Sequence, residues 1–346
     1  MRTLLQTALT IMFFGFSSGA FAQQNVIADT ARKLQAGGYE GITGGMLNVG
    51  GRTVFEVYAP DNGPDKLHDI RSATKSITAL LVGKLLEEGT LKNVNQKLSD
   101  LLPGEFAHMP RHDARRNITV ADVLTMRTGL ACNDWVPSSL GQEDKMYRTK
   151  DWGTFLLSQP MAHERGRHFS YCTGGVVLLG RAIQKLSGMS VPDYAARKIL
   201  GPLGIEGEKW DQTPEGYTDT GGHLQLKLSD LSTIGALVLQ GGKYGGKQLV
   251  SGSWVQEMTS EKTDIYERRE KFGYLWWRDR FTLEGKSYQL IYAHGNGGNF
   301  VFVVPELELV AAFTGTNYGR RSQFIPLKLL TGKIVPAIAN GYVIEK

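Results

Sequence analysis

The chain has 346 residues, of which 41% are hydrophobic and 21% charged, and its formal net charge is +5. These proportions belong to a folded globular protein and exclude a disordered or fibrous one. The basic residues are scattered, and their one local concentration, RHDARR from Arg111 to Arg116, reads as a solvated loop, so nucleic-acid binding is not expected.

The first residues, MRTLLQTALTIMFFGFSSGAFAQQ, carry Arg2, an apolar run from Leu4 to Phe16, and the small-residue end Ala20-Phe21-Ala22. That order is the order of a secretory leader cut after Ala22. The expectation is therefore a protein exported to the bacterial periplasm or secreted, with residues 1–22 removed and 23–346 forming a single domain; a retained N-terminal anchor is the alternative. No later run offers the roughly 20 apolar residues of a spanning helix, so no stable membrane insertion is expected after cleavage. Oxidation is permitted in such a compartment, which favours a disulfide between Cys132 and Cys172 over two free thiols, although the spacing does not decide between them. There is no C-x-x-C, which argues against redox catalysis.

ITGGMLNVGGRTVFEVYA predicts a β-hairpin turning at Gly50-Gly51. The segment from Ser72 to Glu88 has helical spacing at Ile77, Leu80, Leu81 and Leu85 and stops at Gly89. Thr119 and Asp122 form a variant capping box opening VADVLTMRTG, with Gly129 expected to close that helix. GGVVLLGRAIQKLSG and LSDLSTIGALVLQGG repeat the helical pattern, while SYQLIYA, NFVFVVP and LELVAAFTG are short β-branched and aromatic strands. SQFIPLKLLTGKIVPAIA looks helical but is interrupted by Pro326, Gly332 and Pro336. Strands at both chain ends with helices between them predict an α+β fold: an antiparallel sheet built from both ends, flanked by helices, with an inserted all-helical lobe over roughly residues 90–220. A site would lie in the crevice between the two.

Two decoys are set aside. In HERGRH, His163 and His168 are five apart, so they would not share a helix face, and no metal or other cofactor is expected. No G-x-S-x-G occurs, which excludes an α/β-hydrolase elbow.

Three elements point to acyl-transfer chemistry. Ser72-x-x-Lys75 is the sole S-x-x-K in the chain and stands at a helix entry. Residues three apart on a helix are neighbours, so the Lys75 amine could serve the Ser72 hydroxyl as a base, provided burial or positive potential lowers its pKa. The helix N-terminus would aim N–H groups at an oxyanion. The competing reading is a serine cap beside a surface lysine. Tyr171-Cys172-Thr173 precedes the next apolar helix and supplies a phenol and a hydroxyl, or merely a packing anchor. AHGNGGNFVFVVPEL runs glycine-rich backbone into a strand, which would let a substrate approach the main chain or would simply turn a hairpin.

In this order, RSATKS, FSYCTGG and AHGNGG resemble the active-site set of the serine β-lactamase and penicillin-binding-protein superfamily, which carries S-x-x-K, Y-x-N or Y-x-S, and K-T-G. ITVADVLTMRTGL, LSDLSTIGALVLQGGKYGGKQLVSGSWV and FGYLWW extend the resemblance over residues 40 to 317, within the class C β-lactamase-like branch and nearest to the 6-aminohexanoate-dimer hydrolase and family VIII esterase type. The resemblance implies that Ser72 is the acylated nucleophile, Lys75 its proton partner and Tyr171 the second member of the acid–base pair. It implies an oxyanion hole from the N–H of Ser72 and that of Asn296, with Gly295 or Gly297 as alternatives. Thr173 stands in place of Asn or Ser, and His294-Gly295-Asn296 in place of K-T-G, so the cation that grips a β-lactam carboxylate is missing; a histidine could carry part of that charge near pH 6.5. If the cysteines flank the crevice as the resemblance implies, a disulfide would hold the Tyr171 loop, Asn133, Asp134 and Trp135 would face the substrate, and Trp277 would add an aromatic wall. The expected function is a hydrolase cleaving a small-molecule amide or ester. A peptidoglycan-directed DD-peptidase or β-lactamase is second, and a catalytically silent binding module is the reading of another class. Substrate and oligomeric state depend on crevice shape.

Overall fold

The computed structural model describes residues 18–341; of the leader expected over residues 1–22, residues 1–17 lie outside the described residues. The first hairpin is β1 (Ile42–Val49) and β2 (Arg52–Tyr58), joined by Gly50 and Gly51 at φ 56° and 74°. Positive φ at both central positions is the geometry that matches strand twist, and glycine adopts it without steric cost. The late strands are β3 (Thr263–Asp264), β4 (Lys271–Phe272), β5 (Trp277–Leu283), β6 (Lys286–Gly295), β7 (Asn299–Val304) and β8 (Leu309–Gly315). Among the described residues they form one eight-stranded sheet in the order β2-β1-β8-β7-β6-β5-β4-β3. Every pairing is antiparallel. The β1–β8 pairing, with Gly45 opposite Phe313 and Leu47 opposite Ala311, joins the two chain ends, as expected.

Neighbouring glycines on β1 show what covers the sheet. A Cβ on Gly44 would stand 3.0 Å from Leu228, and one on Gly45 2.7 Å from Leu34. Consecutive strand residues point to opposite faces. Helix α1 (Ser18–Gln35) therefore lies on one face, and a helix starting at Leu228 on the other. β7 and β8 are accordingly buried at every position.

The remaining long helices are α2 (Thr74–Glu87), α3 (Thr173–Ser187) and the helix just placed, α4 (Leu228–Leu239). α2 is buried from Thr74 through Gly83, as a helix must be when it is enclosed on all sides. Short helices at Leu98–Leu101, Val120–Leu124, Glu143–Met146, Trp152–Leu157 and Val191–Ala195 surround α3 to form the helical lobe. The Thr119/Asp122 capping box is present, but its helix stops at Leu124 rather than running to Gly129, because Met126 takes φ 56° and turns the chain. The C-terminal run stays helical through both prolines, in segments Ile325–Leu329, Leu330–Ile334 and Val335–Ala339. Each proline sits at the start of a segment, where its missing N–H costs least, and a wider turn over Leu330–Ile334 precedes the second.

Within the lobe, Arg181 on α3 is 4% exposed and reaches three carboxylates, Glu105 at 2.9 Å, Asp151 at 3.1 Å, and Glu215. Removing one partner of such a cluster leaves uncompensated buried charge. Arg181→Met should cost about 3–5 kcal/mol of unfolding free energy, read as a shifted urea midpoint.

Candidate active site

Ser72 lies on a single 3-10 turn, Arg71–Ala73, that feeds α2. Its hydroxyl makes no capping bond to α2, which excludes the serine-cap reading. Arg71, just before it, holds φ 52° and donates its N–H to Asp69 Oδ1 at 2.9 Å. A non-glycine residue held there is strained and persists only where its surroundings over-determine it. Lys75 Nζ donates to Ser72 Oγ at 2.9 Å and to the Gly221 carbonyl at 2.6 Å. The Tyr171 ring centre lies 5.1 Å from Lys75 Nζ, and Tyr171 and Ser72 line the same cleft. The three side chains named from two distant motifs therefore meet at one point.

The expected pKa direction for Lys75 is reversed. Burial acts to lower it, but Tyr171, Glu143, Asp134 and Asp219 outweigh burial and hold the ammonium above its ordinary value. Burial raises the Tyr171 phenol, against the opposing pull of Lys75 and Ser72. The two groups titrate as a pair. Asp134 is pushed up to about 7 by burial and then by Glu143, so a proton is readily held in this acidic cluster. Glu143, Asp219 and Gly221 were not picked out from the sequence. Asp219 and Gly221 share one loop and Glu143 lies elsewhere, and only the glycine pair in DTGGH offered a signal: a Cβ on Gly221 would stand 2.6 Å from Thr173.

The Tyr171 loop is clamped to the 132–134 loop. Cys132 and Cys172 are joined by a buried disulfide. Ser170 Oγ donates to the Cys132 carbonyl at 2.6 Å, Asp134 N–H to the Tyr171 carbonyl at 2.8 Å, and Thr173 N–H to Asp134 Oδ2 at 2.7 Å. Trp135 stacks on Tyr171 at 5.2 Å.

Across from Ser72, β6 outruns its neighbour. β5 pairs with β6 only as far as Tyr292, so Ala293–Gly295 present a free edge. Gly295 lets that edge approach the nucleophile turn, because a Cβ there would stand 1.9 Å from the Ile70 carbonyl oxygen. The Asn296 N–H makes no hydrogen bond within the described residues, whereas Gly297 bridges to Asn317 and accepts from its N–H at 2.9 Å. A cleft of about 780 Å³ opens from Ser72 and Tyr171, walled by Trp135, Trp277, Tyr292 and Phe300. Asp134, His294 and Asn296 also line it.

Three expected lining roles change. Thr173 is fully buried as the first residue of α3 and gives its hydroxyl to Glu143 Oε2 at 2.8 Å, so it does not face the cleft. Asn133 lines a separate hollow near His163 and His168, because its amide oxygen turns back to accept from the Trp135 N–H at 3.0 Å. His294 does line the cleft, but burial lowers it to about 4 and its ring stacks on Phe300 at 4.3 Å, so it carries no charge near pH 6.5.

A profile of the Beta-lactamase family matches residues 30–324. The chain belongs to that family. It is 23% identical over 225 residues to the 6-aminohexanoate-dimer hydrolase of Paenarthrobacter ureafaciens, a match covering 60% of this chain and 55% of that one. The chain thus spans about half the length of that curated relative. Among solved structures, a penicillin-binding-protein homologue from Caulobacter crescentus superposes with TM-score 0.67 at 16% identity, covering 90% of this chain and 97% of that one. A family VIII carboxylesterase superposes with TM-score 0.65 at 17% identity, covering 94% and 97%. The fold is therefore the fold of β-lactamase and penicillin-binding-protein relatives, as the motifs implied.

Two measurements probe the site's supports. Replacing both cysteines, Cys132→Ala with Cys172→Ala, should lower stability by about 2–4 kcal/mol in urea unfolding and reduce kcat more than it raises KM. His294 and His68 are both lowered to about 4 by burial, against an unfolded value of 6.5. Their neutral forms favour the folded state fully above about pH 6.5, and that contribution is lost as pH falls toward 4. Asp134, raised to about 7, works in the opposite sense over an overlapping window. Comparing urea midpoints at pH 7 and pH 4.5, His294→Phe should lose about 2 kcal/mol less than the wild type across that interval.

Proposed function

We propose that this family member is an exported serine hydrolase that cleaves an amide or ester bond through an acyl-enzyme on Ser72. The observation that carries the reading is the hydrogen bond from Lys75 Nζ to Ser72 Oγ beside Tyr171, which lines the cleft together with Ser72. The names of its relatives, an amide-cleaving dimer hydrolase and a carboxylesterase, support the same class of substrate. Export is supported by the leader pattern and by the disulfide, since such bonds persist in oxidising compartments.

The acidic surroundings keep Lys75 as an ammonium and burial raises the Tyr171 phenol, so the reactive form is the minority one in which Tyr171 has given its proton to solvent and Lys75 pairs the phenolate. As Ser72 Oγ attacks the carbonyl carbon, its proton passes to the Tyr171 oxygen, and Lys75 stabilises the negative charge on both oxygens. The oxyanion is met by the N–H groups of Ser72 and Asn296. When the C–N or C–O bond breaks, the same proton passes from Tyr171 to the leaving nitrogen or oxygen. A water molecule then gives a proton to Tyr171, attacks the acyl carbon and releases the acid, and the proton returns to Ser72. Each base step regenerates the group it uses, so no cofactor enters this scheme.

Treatment with a fluorophosphonate followed by mass spectrometry should place an adduct on Ser72. Short-chain p-nitrophenyl esters should be hydrolysed by the wild type, lost with Ser72→Ala, and slowed roughly 10²–10⁴-fold by Tyr171→Phe. Equal turnover by the wild type and Ser72→Ala would sink the reading, and an absent adduct would leave a binding module. Lasting label from a fluorescent penicillin would move the assignment to a DD-peptidase or β-lactamase. Neutral His294 at the strand position counts against that outcome.

A further inference from the structure

The cleft that starts at Ser72 is not charged evenly. His294, on the strand beside the nucleophile, is neutral. The cations lining the cleft are Arg268 and Lys328. Arg268 is placed with care: its guanidinium carbon lies 5.2 Å from the ring centre of Trp135 and 5.7 Å from that of Trp277. Those two rings stack on each other at 6.1 Å, and each stacks on Tyr171. A guanidinium over aromatic faces keeps its charge and its planar donor edge while giving up little to water.

Glu270 does not exhaust that edge. It accepts from Nη2 at 3.0 Å and from Nε at 3.4 Å, while Nη1 has no protein acceptor among the described residues. The side chain is 37% exposed, so Nη1 is open to a bound molecule. Glu270, Leu327 and Lys328 also wall a second hollow of about 340 Å³ that carries Arg269 and Asp279.

We propose that the outer part of the cleft is a subsite for an anionic group of the substrate, read by Arg268 from its seat on Trp135 and Trp277, with Lys328 as the second cation. This deepens the hydrolase reading and rests on it for the chemistry. The substrate class is an amide or ester carrying a carboxylate at some distance from the scissile bond, with an apolar stretch between them against the aromatic walls. Glu270 competes for the same guanidinium and sets how tightly the anion is held.

The test has a catalytic arm and a binding arm. In the first, neutral p-nitrophenyl hexanoate is compared with the mono-p-nitrophenyl ester of adipic acid. The wild type should favour the anionic ester, and added salt should erode that preference. Arg268→Ala should lower the ratio of kcat/KM for anionic over neutral ester roughly tenfold, Arg268→Lys should restore part of it, and Glu270→Gln should raise it. An unchanged ratio in Arg268→Ala, or a lower one in Glu270→Gln, would overturn the proposal. In the second arm, adipate is titrated into Ser72→Ala while tryptophan fluorescence is followed. A saturable change that disappears when Arg268→Ala is added supports the subsite, and no saturable change overturns it. Because this arm needs no turnover, failure of the hydrolase reading with adipate still bound through Arg268 is separable from failure of the subsite.

Discussion

The Lys75 ammonium is the charge around which the rest of the molecule is arranged. It is buried, which costs several kcal/mol unless that charge is paired and hydrogen-bonded. Ser72 Oγ and the Gly221 carbonyl accept from it, and Glu143, Asp134 and Asp219 supply opposing charge from three loops. Those groups come from three parts of the chain, so satisfying one lysine draws together the nucleophile turn, the helical lobe and the loop before α4. The same arrangement underlies the proposed division of labour between Lys75 and Tyr171. A lysine held as a cation cannot take the serine proton, but it can make a neighbouring phenol a better acceptor.

Around that charge, the structure relies on close backbone approach. Gly295 brings the free edge of β6 against the Ser72 turn at a separation no side chain would allow. Gly221 does the same on the side of α3, where its would-be Cβ runs into Thr173. The disulfide and the hydrogen bonds between residues 132–134 and 170–173 hold the Tyr171 oxygen opposite both. Positioning of this kind converts weak groups into useful ones, since proton transfer in the transition state depends first on geometry and then on pKa.

The cleft has a sharper division than its volume suggests. Near the nucleophile it holds a buried cation surrounded by acids, along its walls it is aromatic, and at its mouth the exposed charges include Arg268, Glu270 and Lys328. His294, on the strand beside the nucleophile, lines the same cleft and is neutral. The strand cation is missing, yet Arg268 and Lys328 still place cations along the cleft.

Much of this was legible from residue order. Alternation and turn chemistry placed the first hairpin and the late strands, helical spacing placed α2, α3 and α4, and S-x-x-K with the tyrosine and glycine-rich segments named Ser72, Lys75, Tyr171 and the 295–297 turn, because local periodicity and short motifs are properties of neighbouring residues. Tertiary structure alone decided the rest. The direction of the Lys75 shift depends on carboxylates contributed by distant loops. Thr173 and Asn133 turned away from the cleft because nearby acceptors and donors captured their polar groups. Arg268 became a cleft residue through Trp277, nine residues on, and Trp135, far from it in sequence. Charge, burial and hydrogen-bond competition act through space, and only folding sets which groups share it.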